Sequence, residues 1–478
     1  MMYVKKRQIW MWLALLVSVS IVSYMLIGQN VFSGHAKGVH GKRHRVVSPG
    51  DWTMFQGTPD HSGYNSVETV ITPATAPHLK VHWTVSAGAD IDSQIIAANG
   101  LLYWGSWDGL EHASDLSGNT VWTQYLGVSS PPHCDPPSTG VASTAAAASV
   151  SINGTQTAVV FVGGGDAAFY ALDAKSGQVL WRTPLGIPPA YFLCGSPVVY
   201  NGSIYEGVSS YGDCPLVQGE LVKMNASTGT IQQIFYTMPA GCKGAGVWDT
   251  PSIDEVAKTV YFGTSNAGVC KKPGQYDWSM IEVNASDLSL VHSWRLPRAD
   301  QTNNADFGLA APMLFTATIK GVVHNMVGAP NQNGKYYAFD RANISNGPVW
   351  QVRLATPGRG SISSSAWDGT TIYAAGTDIT IKGTSCQGSA AALNPATGKF
   401  IWQKCWTAGR VLNAVMAVPG LIVVGQGRYV NVLSATTGQT LYRYINTAKD
   451  AVFHGAPTIS NGVLYIGNQD GELFAFGL

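Results

Sequence analysis

The chain has 478 residues, of which 54 are glycine and only 12% are charged, with a formal net charge of +1. That balance argues against a nucleic-acid-binding surface, and the length suits two or three ordinary domains or one large repeat architecture. Abundant glycine beside 15 tryptophans and 20 tyrosines favours many short strands joined by tight turns.

Residues 1–8 read as a cytoplasmic tail whose Lys5, Lys6 and Arg7 precede an uncharged run. That run, residues 9–28, is long enough to cross a bilayer as one helix, and no small-x-small cleavage site follows it, so it reads as a transmembrane signal anchor. Lys37, Lys42, Arg43 and Arg45 lie beyond it, so basic residues alone do not set the orientation. The cysteines do. Seven of them, at positions 134, 194, 214, 242, 270, 386 and 405, suit an oxidising compartment and leave at least one thiol over. The expectation is a single-pass protein of the cell membrane with its bulk extracytoplasmic. Nearness in sequence suggests the pairs Cys214–Cys242 and Cys386–Cys405. No CxxC occurs, which argues against a zinc knuckle or an attached c-type haem. Residues 29–50 are rich in Gly, His and Lys without periodicity and read as a flexible stalk, with His35, His40 and His44 as solvated linker residues.

From Asp51 one unit recurs. Its fullest copy, AVVFVGGGDAAFYALDAKSGQVLW, is a strand, a Gly-rich turn, a strand, an Asp-x-x-x-Gly turn and a strand closing on Trp181. Other copies close on Trp122, Trp294, Trp350, Trp402 and Tyr442, and the final one, GVLYIGNQDGELFAFGL, stops before its closing strand. HLKVHWTV, near the start of the repeat region, can supply that strand and leave no open sheet edge. Eight copies over 51–478 predict an all-β, eight-bladed β-propeller, with the closing tryptophans packing one blade on the next.

Against this shared pattern, GAGVWDTPSID and GTSN stand out. Trp248 sits in a Gly-rich turn where an indole must dock into a core or stack on something flat, and Asn266 ends a strand.

The units ALDAKSGQVLW and GAPTISNGVLYIGNQDGELFAF resemble those of the pyrroloquinoline quinone (PQQ) dehydrogenases, and the resemblance covers roughly 51–478. The opening DWTMFQGTPDHSGYN is similar to that of the polyvinyl-alcohol dehydrogenase branch. The resemblance implies a quinoprotein alcohol dehydrogenase-like propeller that oxidises a small-molecule alcohol or polyol with PQQ and calcium. An external electron acceptor such as a cytochrome or quinone would take the electrons. GVSSYGDCP then places Asp213 as a metal carboxylate, GTSN places Asn266 as an amide ligand, and NNADFG makes Asp306 both a metal ligand and the catalytic base. Trp248 falls where the family lays an indole against the cofactor.

Hard oxygen donors of this kind suit calcium, and a carboxylate in reach of a substrate hydroxyl suits general-base chemistry. Three positions depart from the pattern. Gln332 stands where a Lys or Arg touches the quinone, with Lys335 close by; Asn304 stands where the branch has an Asp; and Cys134 is alone where the alcohol dehydrogenases carry adjacent cysteines. The other reading is a non-catalytic propeller acting as a cell-envelope scaffold or binding protein. A glycan-binding or hydrolytic propeller has no paired-carboxylate or nucleophile motif in its favour.

Overall fold

The computed structural model describes residues 50–478 except 267, 269, 271, 273, 302–304, 309, 358–361 and 448–451. The anchor, tail and stalk expected over 1–49 and the departure at Asn304 lie outside the described residues. No helix among the described residues is long and apolar enough to cross a membrane.

Eight antiparallel sheets follow one another along the chain, seven of four strands and one of five. Blade 1 spans Ile96–Ala98 to Thr120–Tyr125, and blade 2 spans Ala146–Ile152 to Val179–Pro184. Blade 3 is built on Val198–Tyr200, Ser203–Ser210, Glu220–Asn225 and Ile231–Tyr236, with the short Tyr191–Phe192 added. Blade 4 runs from Ser252–Asp254 to Leu290–Arg295, blade 5 from Met313–Ile319 to Trp350–Arg353, and blade 6 from Ala366–Trp367 to Phe400–Trp406. Blade 7 runs from Met416–Val418 to Thr440–Ile445. Blade 8 contributes Thr458–Ser460, Val463–Gly467 and Glu472–Gly477, and Lys80–Ser86 pairs antiparallel with the last of these as the expected closing strand. The ring is therefore shut by its own N-terminal segment, which covers the edge that blade 8 would otherwise leave open.

Each blade is locked to the next by the repeated turn. In blade 2, Asp173 Oδ1 accepts the backbone N–H groups of Lys175 and Ser176, and Gly177 follows with φ +72°. A side chain at Gly177 would lie 2.6 Å from the Trp122 ring of the preceding blade, so only glycine lets the indole settle over the turn. The same contact recurs as Gly118 on Trp83, Gly229 on Trp181, Gly398 on Trp350 and Gly438 on Trp402. The indole N–H groups of Trp122, Trp181, Trp350 and Trp402 donate to Ala174, Ala226, Pro395 and Ala435 carbonyls of the following blade at 2.8–3.2 Å.

The opening segment plugs one end of the axis. Trp52 bridges to Ala97 of blade 1, and Thr53 O accepts from Ala147 of blade 2. Pro59, Asp60 and Ser62 carbonyls then accept from Ile253, Leu314 and Trp367 of blades 4, 5 and 6, and Asn65 reaches Ala417 and Ile459 of blades 7 and 8. Met54 packs into the blade 3–4 core with Val198 and Tyr205. Buried inner strands have spare backbone groups facing the axis, and this segment satisfies them.

The disulfides correct one expectation. Cys386–Cys405 forms, but Cys214 pairs with Cys134 (Cα–Cα 5.8 Å) and Cys242 with Cys270 (5.5 Å). Nearness in sequence misled because the segment between blades 1 and 2 reaches across to the blade 3 loop. There Tyr211 Oη donates to Pro136 O at 2.7 Å and shares a hydrogen bond with Thr139 Oγ1. Cys194 is the remaining thiol.

Candidate active site on the propeller axis

Loops of three successive blades meet at one point. Asp213 lies in a tight turn after Ser203–Ser210 with φ +60°, a conformation for which Asp is among the better-tolerated residues. Asn266 follows the strand Thr259–Gly263, and Asp306 lies on the approach to blade 5. Asn266 Nδ2 donates to Asp213 Oδ2 at 3.1 Å, and the Asn266 backbone N–H donates to Asp306 Oδ1 at 2.6 Å. Ser210 Oγ holds the other Asp213 oxygen at 3.2 Å. The Asn266 carbonyl is fixed by Ala245 N–H, and Ser265 N–H donates to Gly246, so the strand end is laced to the Trp248 turn.

This group has an unfilled demand. Asn266 Oδ1 is buried with no hydrogen-bond partner, a state that costs about 1–3 kcal/mol unless a ligand supplies one. Burial, and then the charge of Asp213, push the Asp306 carboxyl up to about 7. Two carboxylates and an unpartnered amide oxygen are hard donors of the kind calcium takes, and turning the Asn266 amide, which here gives Nδ2 to Asp213, would bring its oxygen to them. No group of three or more His, Cys, Asp or Glu side chains with metal-binding placement exists among the described residues, so the amide oxygen is needed for the third ligand.

A cavity of about 280 Å³ is lined by Trp248 and by Tyr211 and Gly212, the two residues before Asp213, but not by Asp213, Asn266 or Asp306 themselves. Phe55 of the plugging segment lines it as well. The Trp248 indole is seated between glycines: side chains at Gly246 and Gly308 would lie 2.8 Å from Nε1 and 3.1 Å from Cδ1. Asp249, the next residue, accepts the Gly263 N–H with one oxygen at 2.6 Å and leaves the other unpartnered, and burial raises its pKa well above the usual carboxylate range. It braces the end of the strand Thr259–Gly263, three residues before Asn266.

Gln332 is joined to the site through its backbone N–H, which donates to Asp306 O at 2.9 Å. Lys335 is turned to Asp300, with Nζ 2.8 Å from Oδ1, and is not on the cavity wall. Among the described lining residues there is no Lys or Arg; the donors include Ser, Thr and Asn side chains, Tyr211, His454 and the buried, unpartnered indole N–H of Trp107. Asp92 and Asp249 line the same cavity, so an anionic ligand would meet carboxyl groups as well as neutral donors. Cys194 also lines the cavity as a protonated thiol, pushed up to about 12 by burial and by Asp92 and Glu206. Sequence reasoning did not find Asp249, Cys194 or His454. The common signal is position: each sits just before an inner strand, where a propeller's loops face the axis.

The fold is an eight-bladed propeller whose loops gather Asp213, Asn266 and Asp306 at one point. The family described as outer membrane protein assembly factor BamB matches residues 110–287 and 332–478, and the chain belongs to this family of PQQ-type repeat propellers. Polyvinylalcohol dehydrogenases of Sphingopyxis sp. (strain 113P3) and Pseudomonas sp. are each 24% identical, aligning over 87% and 83% of this chain and 72% and 70% of theirs. The quinohemoprotein alcohol dehydrogenase of Pseudomonas putida superposes with a TM-score of 0.70 at 16% identity, covering 90% of this chain and 80% of that one. BamB of Moraxella catarrhalis superposes with a TM-score of 0.56 at 16% identity, covering 84% of this chain and all of that one. At these identities the structures speak to the fold alone.

Proposed function

We propose that the protein is a dehydrogenase that oxidises an alcohol or polyol with PQQ and calcium held on the propeller axis. The observation that carries this reading is the meeting of Asp213, Asn266 and Asp306 beside the Trp248 cavity, with Asn266 Oδ1 buried and unpartnered. Asp213, Asn266 Oδ1 and Asp306 would hold calcium, and Trp248 would carry the quinone on its face. When bound, the quinone accepts hydride and the metal polarises its carbonyl.

The chain's own residues do the rest. Asp306 takes the proton of the substrate hydroxyl. Asn266 N–H holds one Asp306 oxygen and leaves the other to act. Trp248, Tyr211, Phe192 and Phe55 exclude water from the reacting carbon. The membrane anchor over 9–28 and an extracytoplasmic propeller belong to the same reading, as does an external cytochrome or quinone as electron acceptor. The disulfides suit that compartment.

Gln332 and Lys335 favour a second reading, a non-catalytic cell-envelope scaffold. The position expected to carry a cation at the quinone is a Gln, and the nearby Lys335 is engaged by Asp300. The test is reconstitution with PQQ and calcium, followed by gel filtration and dye reduction with a panel of alcohols. Retained quinone absorbance and calcium-dependent turnover support the enzyme; loss of all quinone on filtration sinks it and leaves the scaffold.

A further inference from the structure

Blade 6 is longer than its neighbours at one end. Its two middle strands, Ile372–Ile381 and Thr384–Leu393, have ten residues each, where the matching strands of blades 7 and 8 have five or six. Pairing with the outer strand begins only at Gly388, opposite Trp406, so the hairpin that turns at Lys382 and Gly383 projects past its blade. The Cys386–Cys405 disulfide braces its base. The hairpin leaves the second strand of its blade, as do the segments carrying Asp213 and Asn266, so all three lie at the same end of the ring.

That end of blades 6 and 7 is basic. From 379 to 447 the chain has no Asp or Glu and holds Lys382, Lys399, Lys404, Arg410, Arg428 and Arg443. Lys399 sits in the turn at the opposite end, before Phe400–Trp406, and the others lie towards the projecting hairpin. The surface is continuous: Gly409 N–H donates to Gln387 Oε1 of the hairpin at 2.9 Å, and Gly427 N–H donates to Arg410 O at 2.8 Å. Asp378, at the base of the hairpin, pairs with Arg410 at 2.9 Å, and Arg443 lies 3.7 Å over the Tyr429 ring. The next blades round the ring reverse the sign. No Lys or Arg occurs from 81 to 174, and Asp90, Asp108 and Asp470 occupy turns at this same end of blades 1 and 8. An acidic body is drawn to blades 6 and 7 and turned away from blades 8 and 1, which sets its orientation as well as its rate of encounter. The connector that carries Arg410 runs on into Leu412, Asn413 and Ala414, which line the cavity that Trp248 also lines.

Resting on the dehydrogenase reading above, we infer that this basic end of blades 6 and 7 docks an acidic electron-transfer protein, the acceptor that carries the electrons away. Each alcohol oxidised to its carbonyl releases two electrons and two protons; the electrons pass to the redox centre of the docked protein, one at a time, and the protons to water. A membrane is the poorer occupant. The exposed tip is Thr380, Lys382, Gly383, Thr384 and Ser385, with no aromatic or leucine wedge to enter a bilayer.

Two triple variants test this. Lys382→Gln/Arg428→Gln/Arg443→Gln removes charge from the docking end, and Lys80→Gln/Lys175→Gln/Lys399→Gln removes as much from the other end. The first readout is anisotropy of a fluorescein-labelled polyglutamate peptide added to the full chain in neutral detergent, which needs no turnover. Wild type and the far-end variant are expected to bind alike, and the docking-end variant about tenfold more weakly, with wild-type binding fading as salt rises. The second readout is acceptor kinetics of the protein loaded with PQQ and calcium. There kcat/KM for the anion hexacyanoferrate(III) should fall about tenfold in the docking-end variant, while that for the cation hexaammineruthenium(III) should not fall. No peptide binding by wild type, or equal losses in the two variants, overturns the docking surface. Binding of phosphatidylglycerol added to the detergent, without binding of the peptide, overturns it in favour of a membrane contact. Both small acceptors slowed equally overturns the role in electron exit. A protein that binds the peptide as expected yet oxidises no alcohol upholds the docking surface and sinks the dehydrogenase reading alone.

Discussion

Trp350 and Trp248 are the same side chain put to opposite uses. Trp350 is buried over Gly398 of the next blade, donates its N–H to Pro395 O, and shares this arrangement with most other blade-closing tryptophans. Its ring and its N–H both serve the joint between blades. Trp248 has no such partner blade: it lies in a Gly-rich turn between Gly246 and Gly308 and keeps a face on the axial cavity. A repeated residue answers a repeated need, the docking of neighbouring sheets. A residue that occurs once, seated by glycines that its own ring requires, answers a local one. The difference predicts that changes at the axis cost chemistry while changes in the repeat cost stability.

Asp306→Asn should cut kcat/KM of the reconstituted protein by about 10³-fold, or about 4 kcal/mol, because a general base and a metal charge are lost together. Its melting temperature should not fall. A variant that melts early, or that keeps its rate, would break the division between site and scaffold.

On the scaffold side, Gly398→Val would put a branched side chain at φ +67° with its Cβ 2.3 Å from the Trp350 ring. A loss of about 3 kcal/mol in stability is expected from strain and overpacking combined, read by urea unfolding. Calcium affinity of the protein that remains folded should match wild type.

Asp213→Asn should weaken calcium about 10- to 100-fold, measured by calorimetry on protein without quinone, by removing one charged ligand while keeping the turn. The same titration carries a pH signature. With the Asp306 carboxyl at about 7 in the metal-free site, protons compete with calcium, so affinity rises with pH up to about 7 and levels off above it. An affinity that is flat from pH 5 to 8 would place calcium elsewhere.

The scaffold was open to sequence reading because its physics repeats. A Gly that must lie under a Trp, and an Asp that must hold its own turn, recur in several copies, and even the strand missing from blade 8 could be found in HLKVHWTV. The ligand group was open only through its likeness to a family, since Asp213, Asn266 and Asp306 lie 53 and 40 residues apart and nothing local says that they meet. What stayed hidden was direction. Lys335 is near the site in sequence, yet its ammonium finds Asp300; Cys214 is nearer to Cys242 in sequence, yet the loop carrying Cys134 crosses to it.

The smallest expected effect is also the one that bears most directly on the two tryptophans. Trp248→Phe keeps an aromatic face but shortens it and removes the indole N–H. If the ring is a platform for a flat group, PQQ should bind about tenfold more weakly, near 1.4 kcal/mol, the scale of one stacking interaction. Because the side chain is half-buried and seated between glycines, the melting temperature should move by no more than about a degree or two. Trp350→Phe should give the reverse, since its N–H and buried area both serve the neighbouring blade: stability falls, and PQQ affinity at low temperature holds. Binding is followed by quenching of tryptophan fluorescence, with calcium present throughout. Equal effects of the two substitutions on binding would mean that Trp248 is one more packing residue, and the cavity beside it would lose its platform.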